Sequence, residues 1–289
     1  MSARPEPAAG SVRVAAVVEY DGRPFAGWQR QAHSLSVQET VEDALSFVAD
    51  QPVAVVCAGR TDTGVHATHQ VIHFDTTARR EAHQWLKGTN SRLPATVRLL
   101  WAGEVAGDFH ARYAALSRTY RYLILNRPVA PAVGAGLITW VREPLDVGAM
   151  RQASRALLGE RDFSAFRASG CQSKSPYRRV DAVEVWRAGP LVVLEVTANA
   201  FLHHMVRNIA GALIAVGRGQ RPPAWLEELL AGRDRRRGAP TAPADGLYLV
   251  GVAYPERFGI PRLPPGPFLL GAAGEGALVE SPGGGRAAW

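Results

Sequence analysis

At 289 residues with 47% hydrophobic content, the chain is long enough to fill two cores of ordinary size, which excludes a disordered or low-complexity protein. Its 33 Lys and Arg against 26 Asp and Glu give a net charge of +7 that suits a polyanionic partner, and Cys57 and Cys171 lack the CxxC spacing of a zinc or redox site. No uncharged apolar run of about 18 residues occurs and the opening Met1–Pro7 has no signal-peptide core, so a soluble cytoplasmic protein with no membrane span is expected.

After a flexible N-terminus over 1–11, the pattern predicts a strand at Val12–Glu19, a helix at Val37–Val48 and strands at Val53–Cys57 and His69–Phe74. A helix at Glu81–Lys87 and a strand at Val97–Val105 complete a βαββαβ order. Ser36 with Glu39 three residues on reads as a capping box, and Val37, Val41, Leu45 and Val48 form the apolar stripe of the helix that follows. The second half repeats the order. Its strands are at Thr119–Asn126, Val180–Trp186, Leu191–Val196 and Leu247–Ala253, and its helices at Val147–Leu158 and Phe201–Val216, with a short extra helix near Trp225–Leu230. Asp146 is placed to cap the Val147 helix. The expected fold is α+β: two ferredoxin-like halves, 12–112 and 113–263, whose sheets face a central cleft, followed by a flexible Pro- and Gly-rich tail over 264–289.

Chemistry concentrates between Val53 and Asp75. Gly59-Arg60-Thr61-Asp62-Thr63-Gly64 links two strand-like runs, which puts Asp62 at a sheet edge on a rigid mount. The bland alternative is a turn in which Arg60 simply pairs with Asp62. In extended chain, positions two apart share a face, so Arg60 and Asp62 would look into one cleft wherever that geometry persists. Tyr120 and Tyr122 likewise share a face of their strand, as packing or as a stacking surface for a base. On the Phe201–Val216 helix, Leu202, Met205, Val206, Ile209, Leu213 and Val216 make an apolar stripe with His204, Arg207 and Gly211 opposite, by default a solvated face. Trp28, Gln29, Arg30 and Gln31 form an aromatic-basic patch suited to phosphates, and Arg178-Arg179 and Arg233–Arg237 add charge. His66, His69 and His73 do not make a zinc site: on a strand His69 and His73 stand about 13 Å apart, with His66 in the loop or on the other face. No metal or coenzyme is expected.

The segment Ala58-Gly59-Arg60-Thr61-Asp62-Thr63-Gly64-Val65-His66-Ala67 resembles the catalytic segment of tRNA pseudouridine synthases of the TruA family. Tyr20-Asp21-Gly22 with Phe25, Gly27-Trp28-Gln29 and Ser36-Val37-Gln38 is similar to that family's opening block. Phe109-His110-Ala111-Arg112 with Arg118-Thr119-Tyr120-Arg121-Tyr122 is similar to its middle. Asn199–Asn208 and Gly246-Leu247-Tyr248-Leu249 resemble its C-terminal half, so the likeness runs in order from about Val12 to Pro265. It implies two ferredoxin-like halves with the active site between them, and isomerisation of uridine to pseudouridine in the tRNA anticodon stem-loop without a cofactor. It also implies a homodimer in which one tRNA contacts both subunits. It implies Asp62 as catalytic nucleophile or base, Tyr120 as the active-site tyrosine with Tyr122 as packing, and Arg207 paired with Asp62 or an RNA phosphate. Arg60 and Leu247 are expected at the substrate, and Trp28, Gln29, Arg30, His203 and Asn208 on the RNA.

Two rival classes match parts of the sequence. Asp62-Thr63-Gly64 is also the tripeptide of aspartic proteases, but a βαββαβ order is wrong for an all-β protease, and a shared carboxylate pair gains nothing from a neighbouring arginine. A non-catalytic RNA-binding module would suit ferredoxin-like sheets, yet the aromatic, glycine-rich signature of such modules is absent, and a carboxylate in a phosphate-binding cleft needs a task.

Overall fold

The computed structural model describes residues 10–270; the flexibility expected of 1–9 and 271–289 lies outside the described residues. In chain order the first half runs β1 (Val12–Tyr20), α1 (Val37–Ala49), β2 (Val56–Cys57), β3 (His66–Thr76), α2 (Ala82–Arg92) and β4 (Val97–Val105). The second half begins with β5 (Ser117–Asn126), β6 (Thr139–Val141), α3 (Val147–Ser154), β7 (Gly159–Asp162) and β8 (Tyr177–Ala188). It ends with β9 (Leu191–Ala198), α4 (Met205–Gly217), α5 (Trp225–Gly232) and β10 (Leu247–Ala253). Among the described residues no helix is long and apolar enough to cross a membrane.

Local chemistry explains where the first helices start. The Ser36 hydroxyl accepts the Glu39 N–H at 3.2 Å, and α1 then buries Val37, Val41 and Leu45. Asp146 caps α3 in the same way, accepting from the Ala149 N–H at 2.9 Å. Among the departures from expectation, three bear on the fold around the site. β2 is only two residues long, because the backbone donors before it go to α1: Val53 N–H to the Ser46 hydroxyl at 2.9 Å and Val55 N–H to the Glu42 carboxylate at 3.0 Å. α4 starts at Met205 rather than Phe201, because His204 adopts a left-handed conformation, φ 61, that no α-helix continues through. β7 has no apolar alternation and exists only as an edge strand on β8.

The halves do not present two sheets to each other. Their strands join in one ten-stranded sheet of order β4-β1-β3-β10-β5-β9-β8-β7, with β2 on β3 and β6 on β5. The seam is a short parallel pairing of β10 with β3, Tyr248 opposite His66 and Leu249 opposite Ala67. Further along β3, Ile72 and His73 pair with β2 instead. β2 and β10 therefore follow one another along β3, and the chain leaving β2 at Cys57 must loop out at the seam. That loop carries Asp62.

Alternation on β5 separates two cores: Tyr120, Tyr122 and Ile124 enter the large one, Leu123 and Leu125 a smaller one with Tyr248, Val250 and Leu270. Residues 264–270, expected to begin a flexible tail, lie against the sheet instead. Arg121 donates to the Pro265 and Gly266 carbonyls at 3.1 and 3.0 Å, and Leu270 is buried.

His66, His69 and His73 all lie on β3, so His66 belongs to the strand rather than the loop. His66 stacks on Tyr248 at 4.6 Å, and His73 accepts the Ala111 N–H at 3.1 Å. Burial holds both His69 and His73 down to about 4. Because the unfolded chain titrates near 6.5 and the folded one near 4, unfolding takes up protons in that window. Stability is therefore expected to fall as pH drops from about 6.5 to 4. Urea midpoints measured across that range check this, and a flat profile would contradict the buried-neutral assignment.

Candidate active site

Asp62 projects from the loop at the seam, held from below by the first half. The loop's Thr61 carbonyl accepts the Trp28 N–H at 3.0 Å and its hydroxyl meets that of Tyr20 at 2.8 Å. Asp62 closes a turn by accepting the Val65 N–H at 3.1 Å. Gly22 and Gly27 make room: a Cβ on Gly22 would overlap the Val65 carbonyl, and one on Gly27 would lie 2.8 Å from that of Thr61. Arg118, buried at the start of β5, ties the second half to the same loop. It donates to the Ala58 carbonyl at 2.9 Å and to the Asn199 carbonyl at 2.8 Å, and burial lowers its pKa.

The second half supplies the groups that face Asp62. His203 Nε2 lies 3.3 Å from Asp62 Oδ1, His204 Nε2 3.4 Å from Oδ2, and Arg207 Nη1 3.7 Å from Oδ2. All four side chains keep some solvent access, from 16% for Arg207 to 42% for His203, with Asp62 at 25%. The Arg207 guanidinium is held by its Nε, which donates to the Ala242 carbonyl at 2.8 Å. Residues 240–242 lie along this face of α4: the Ala242 N–H returns to Arg207, and a Cβ on Gly211 would overlap the Pro240 carbonyl. The face is thus covered by a loop rather than solvated.

Burial chiefly holds His204 below the ordinary histidine range, with His203, Arg207 and Arg235 acting the same way and Asp62 opposing them. Tyr120 packs edge-on to Phe201 at 5.0 Å, and burial first, then the Asp62 charge, holds its phenol far above the ordinary range. At neutral pH Tyr120 is a neutral donor.

Sequence expectation and geometry part at several residues. Arg60, expected on the cleft side, is exposed and makes no ion pair or hydrogen bond among the described residues, so the loop breaks the strand parity. Trp28 is 1% exposed and packs on Tyr20 at 5.8 Å, a core residue rather than an RNA contact. Gln29 donates to Gln38 at 2.8 Å, and the Arg30 guanidinium is shared by Glu39, Glu42 and Asp43 at 3.1, 3.2 and 4.0 Å, which leaves the expected phosphate patch largely neutralised. Asn208 is buried, donating to the Phe166 carbonyl at 2.8 Å and accepting from Arg235 and Thr241, so it too is structural. Tyr122 is buried with its hydroxyl on Thr139 and the Pro243 carbonyl, and Leu247 is buried opposite it on β10. Cys57 is buried and pushed up to about 12 by that burial. Truncating Trp28 to Ala is expected to cost about 3–5 kcal/mol of unfolding free energy. Denaturant titration reads this; lost RNA affinity at full stability would restore the contact role.

Tyr20, Arg118 and His204 build the site although the sequence reading assigns them no role in it: Tyr20 and Arg118 stand only within the family-like blocks, and His204 on the polar face with Arg207. His66, His69 and His73 take separate places on β3, whereas Asp62, His203 and His204 offer three ligand atoms within 4.8 Å of one another.

The profile of a family described as tRNA pseudouridine synthase matches residues 16–114 and 153–255. The tRNA pseudouridine synthase A of Methylococcus capsulatus (strain ATCC 33009 / NCIMB 11132 / Bath) is 57% identical over 251 residues, 87% of this chain and 93% of that protein. The protein of the same name from Legionella pneumophila (strain Lens) is 52% identical over 90% of this chain and 99% of its own. That from Coxiella burnetii (strain Dugway 5J108-111) is 52% identical over 89% and 99%.

Proposed function

The chain belongs to the tRNA pseudouridine synthase family, and on that premise we propose that it isomerises uridine to pseudouridine in the anticodon stem-loop of tRNA with Asp62 as the reacting carboxylate. One observation carries the assignment of Asp62: two imidazoles and a guanidinium from the second half converge within 3.7 Å on a carboxylate presented by the first. A carboxylate so surrounded is held and aimed, as a nucleophile toward the sugar or base, or a base at the sugar, requires. The reaction breaks the glycosidic bond, turns the base over and rejoins it through carbon 5. No electrons or activated group enter.

In this reading Tyr120 lies beside the flipped base as a neutral phenol, Leu247 lines the base pocket, and Arg60, exposed beside Asp62, meets the RNA backbone. His203 contacts both Asp62 and substrate. The halves 12–112 and 113–263 are read as two ferredoxin-like units, supported by matching strand orders, β4-β1-β3-β2 and β10-β5-β9-β8. A cytoplasmic homodimer sharing each tRNA belongs to the same proposal. The protease alternative loses ground to the mixed sheet and to three positive or imidazole groups around one carboxylate.

Unmodified tRNA incubated with the protein alone should acquire pseudouridine at anticodon stem-loop positions, read position by position, with release of tritium from carbon 5 of labelled uridine. Bound but unconverted tRNA would overturn the proposal. Arg207→Ala is expected to lower turnover about 10- to 100-fold with a smaller effect on tRNA affinity, since it holds Asp62 through a charge-assisted contact. Arg30→Ala, already neutralised by α1, should leave turnover and the salt slope of binding nearly unchanged. Losses confined to affinity in Arg207→Ala would move that residue from the reacting centre to the RNA backbone.

A further inference from the structure

The adjacent imidazoles of His203 and His204 do more than flank Asp62. Their Nε2 atoms lie 3.3 and 3.4 Å from the two carboxylate oxygens, and their rings stand 4.0 Å apart at 38°. A tetrahedral zinc ion with ligands at about 2.0–2.1 Å requires ligand atoms about 3.3–3.4 Å from each other. Whichever carboxylate oxygen serves as ligand, its separation from one imidazole already has that value, and the whole trio lies within 4.8 Å. Remaining closure falls on side chains with solvent access, and that access leaves a fourth position open to water.

The backbone presets both imidazoles. The His203 N–H is held by Cys171 Sγ at 3.4 Å and its carbonyl by the Ala168 N–H at 3.1 Å, while the His204 carbonyl takes the first α4 bond, from Asn208 N–H at 2.9 Å. Two imidazoles and one carboxylate are a donor set suited to zinc-like divalent ions rather than to magnesium or calcium, which prefer oxygen. Arg207, 3.7 Å from the same carboxylate, opposes a dication, and this sets the affinity below that of a structural zinc site.

We propose that Asp62, His203 and His204 form a binding site for a single zinc-class divalent ion, and that the bound ion inhibits the enzyme by withdrawing Asp62 from substrate. Each imidazole would bind through the Nε2 lone pair, as its Nδ1–H tautomer, with Asp62 supplying one oxygen. The site itself depends only on geometry. The inhibition rests on the reading of Asp62 as the reacting group.

Cobalt(II) is the probe, because its tetrahedral complexes absorb far more strongly in the visible than the hydrated ion. Full-length, chelator-treated protein titrated with cobalt should develop such a band to one equivalent, lose it to added zinc, and lose it to excess chelator. His204→Gln and Asp62→Asn should each raise the dissociation constant at least tenfold. His83→Gln, an exposed histidine on α2, should leave the titration unchanged. The absence of a strong band, or a band that survives in both His204→Gln and Asp62→Asn, overturns the site. In a second arm zinc should abolish conversion of uridine in prefolded tRNA, chelator should restore it, and saturating tRNA should suppress the cobalt band. A band without inhibition overturns the inhibitory role while the site stands. The cobalt arm decides the site even for a protein that converts no uridine. Activity lost on chelation and regained only with zinc would make the ion a cofactor and refute inhibition outright.

Discussion

Replacing Asp62 by Asn is expected to reduce turnover on the order of 10^4-fold or more, the scale on which loss of a reacting group is felt. The substitution is isosteric. It keeps one carbonyl-type acceptor for the three groups within 3.7 Å and removes the negative charge and the second acceptor oxygen. Folding should change little, because the carboxylate is one-quarter exposed and its ion pairs are partly screened. Affinity for tRNA should hold or rise, since a charge that repels phosphate has gone while Arg207 and both histidines remain. The measurements are single-turnover pseudouridine formation, tRNA binding at fixed salt and a denaturant midpoint. Turnover within tenfold of the unaltered protein would remove Asp62 from the chemistry and return its loop to a structural turn.

Adding one methyl group at Gly22 should have the next largest effect. Its Cβ would overlap the Val65 carbonyl and come within 2.9 Å of Gly64, so the loop that ends at Val65 must move. Neither neighbour can rotate away, because both contacts are backbone. The Val65 N–H closes the turn on Asp62, and the Gly22 N–H donates to His66 at 3.1 Å, so displacement reaches Asp62 and the start of β3. A shift of about 1 Å at a reacting group costs about 100-fold in rate, and overpacking adds about 1–3 kcal/mol of instability. Gly22→Ala is therefore expected to lose about 100-fold in turnover with only a few-fold change in tRNA affinity. Gly251→Ala is the control, because a Cβ there meets Thr119 at an ordinary 3.5 Å. Equal activity in both variants would show that the loop absorbs the methyl without moving Asp62.

The amino-acid sequence by itself determined the features that depend on neighbours within one helical turn or one strand. The caps at Ser36 and Asp146 formed where the accepting side chain and the backbone N–H donor lie three residues apart. β4 and β10 span the expected Val97–Val105 and Leu247–Ala253, because strand alternation is a local signal. The family resemblance, carried by ordered blocks along most of the chain, agreed with the comparisons for the same reason: motifs are linear.

Only the tertiary structure decided what those pieces meet. Nothing near Trp28 in sequence says that its N–H holds the Asp62 loop while its ring packs on Tyr20, and nothing near Asn208 says that Arg235 and Phe166 enclose its amide. The two halves share one sheet because β10 takes the place beside β3 that β2 vacates, and β2 is short because α1 side chains capture the donors before it. The left-handed turn at His204 carries no glycine to announce it, yet it swings two imidazoles onto a carboxylate from the other half of the chain. Hydrogen bonding and side-chain period are written within a few residues. Burial and charge pairing are settled only when distant segments close on one another, and it is there that Asp62 acquires its partners.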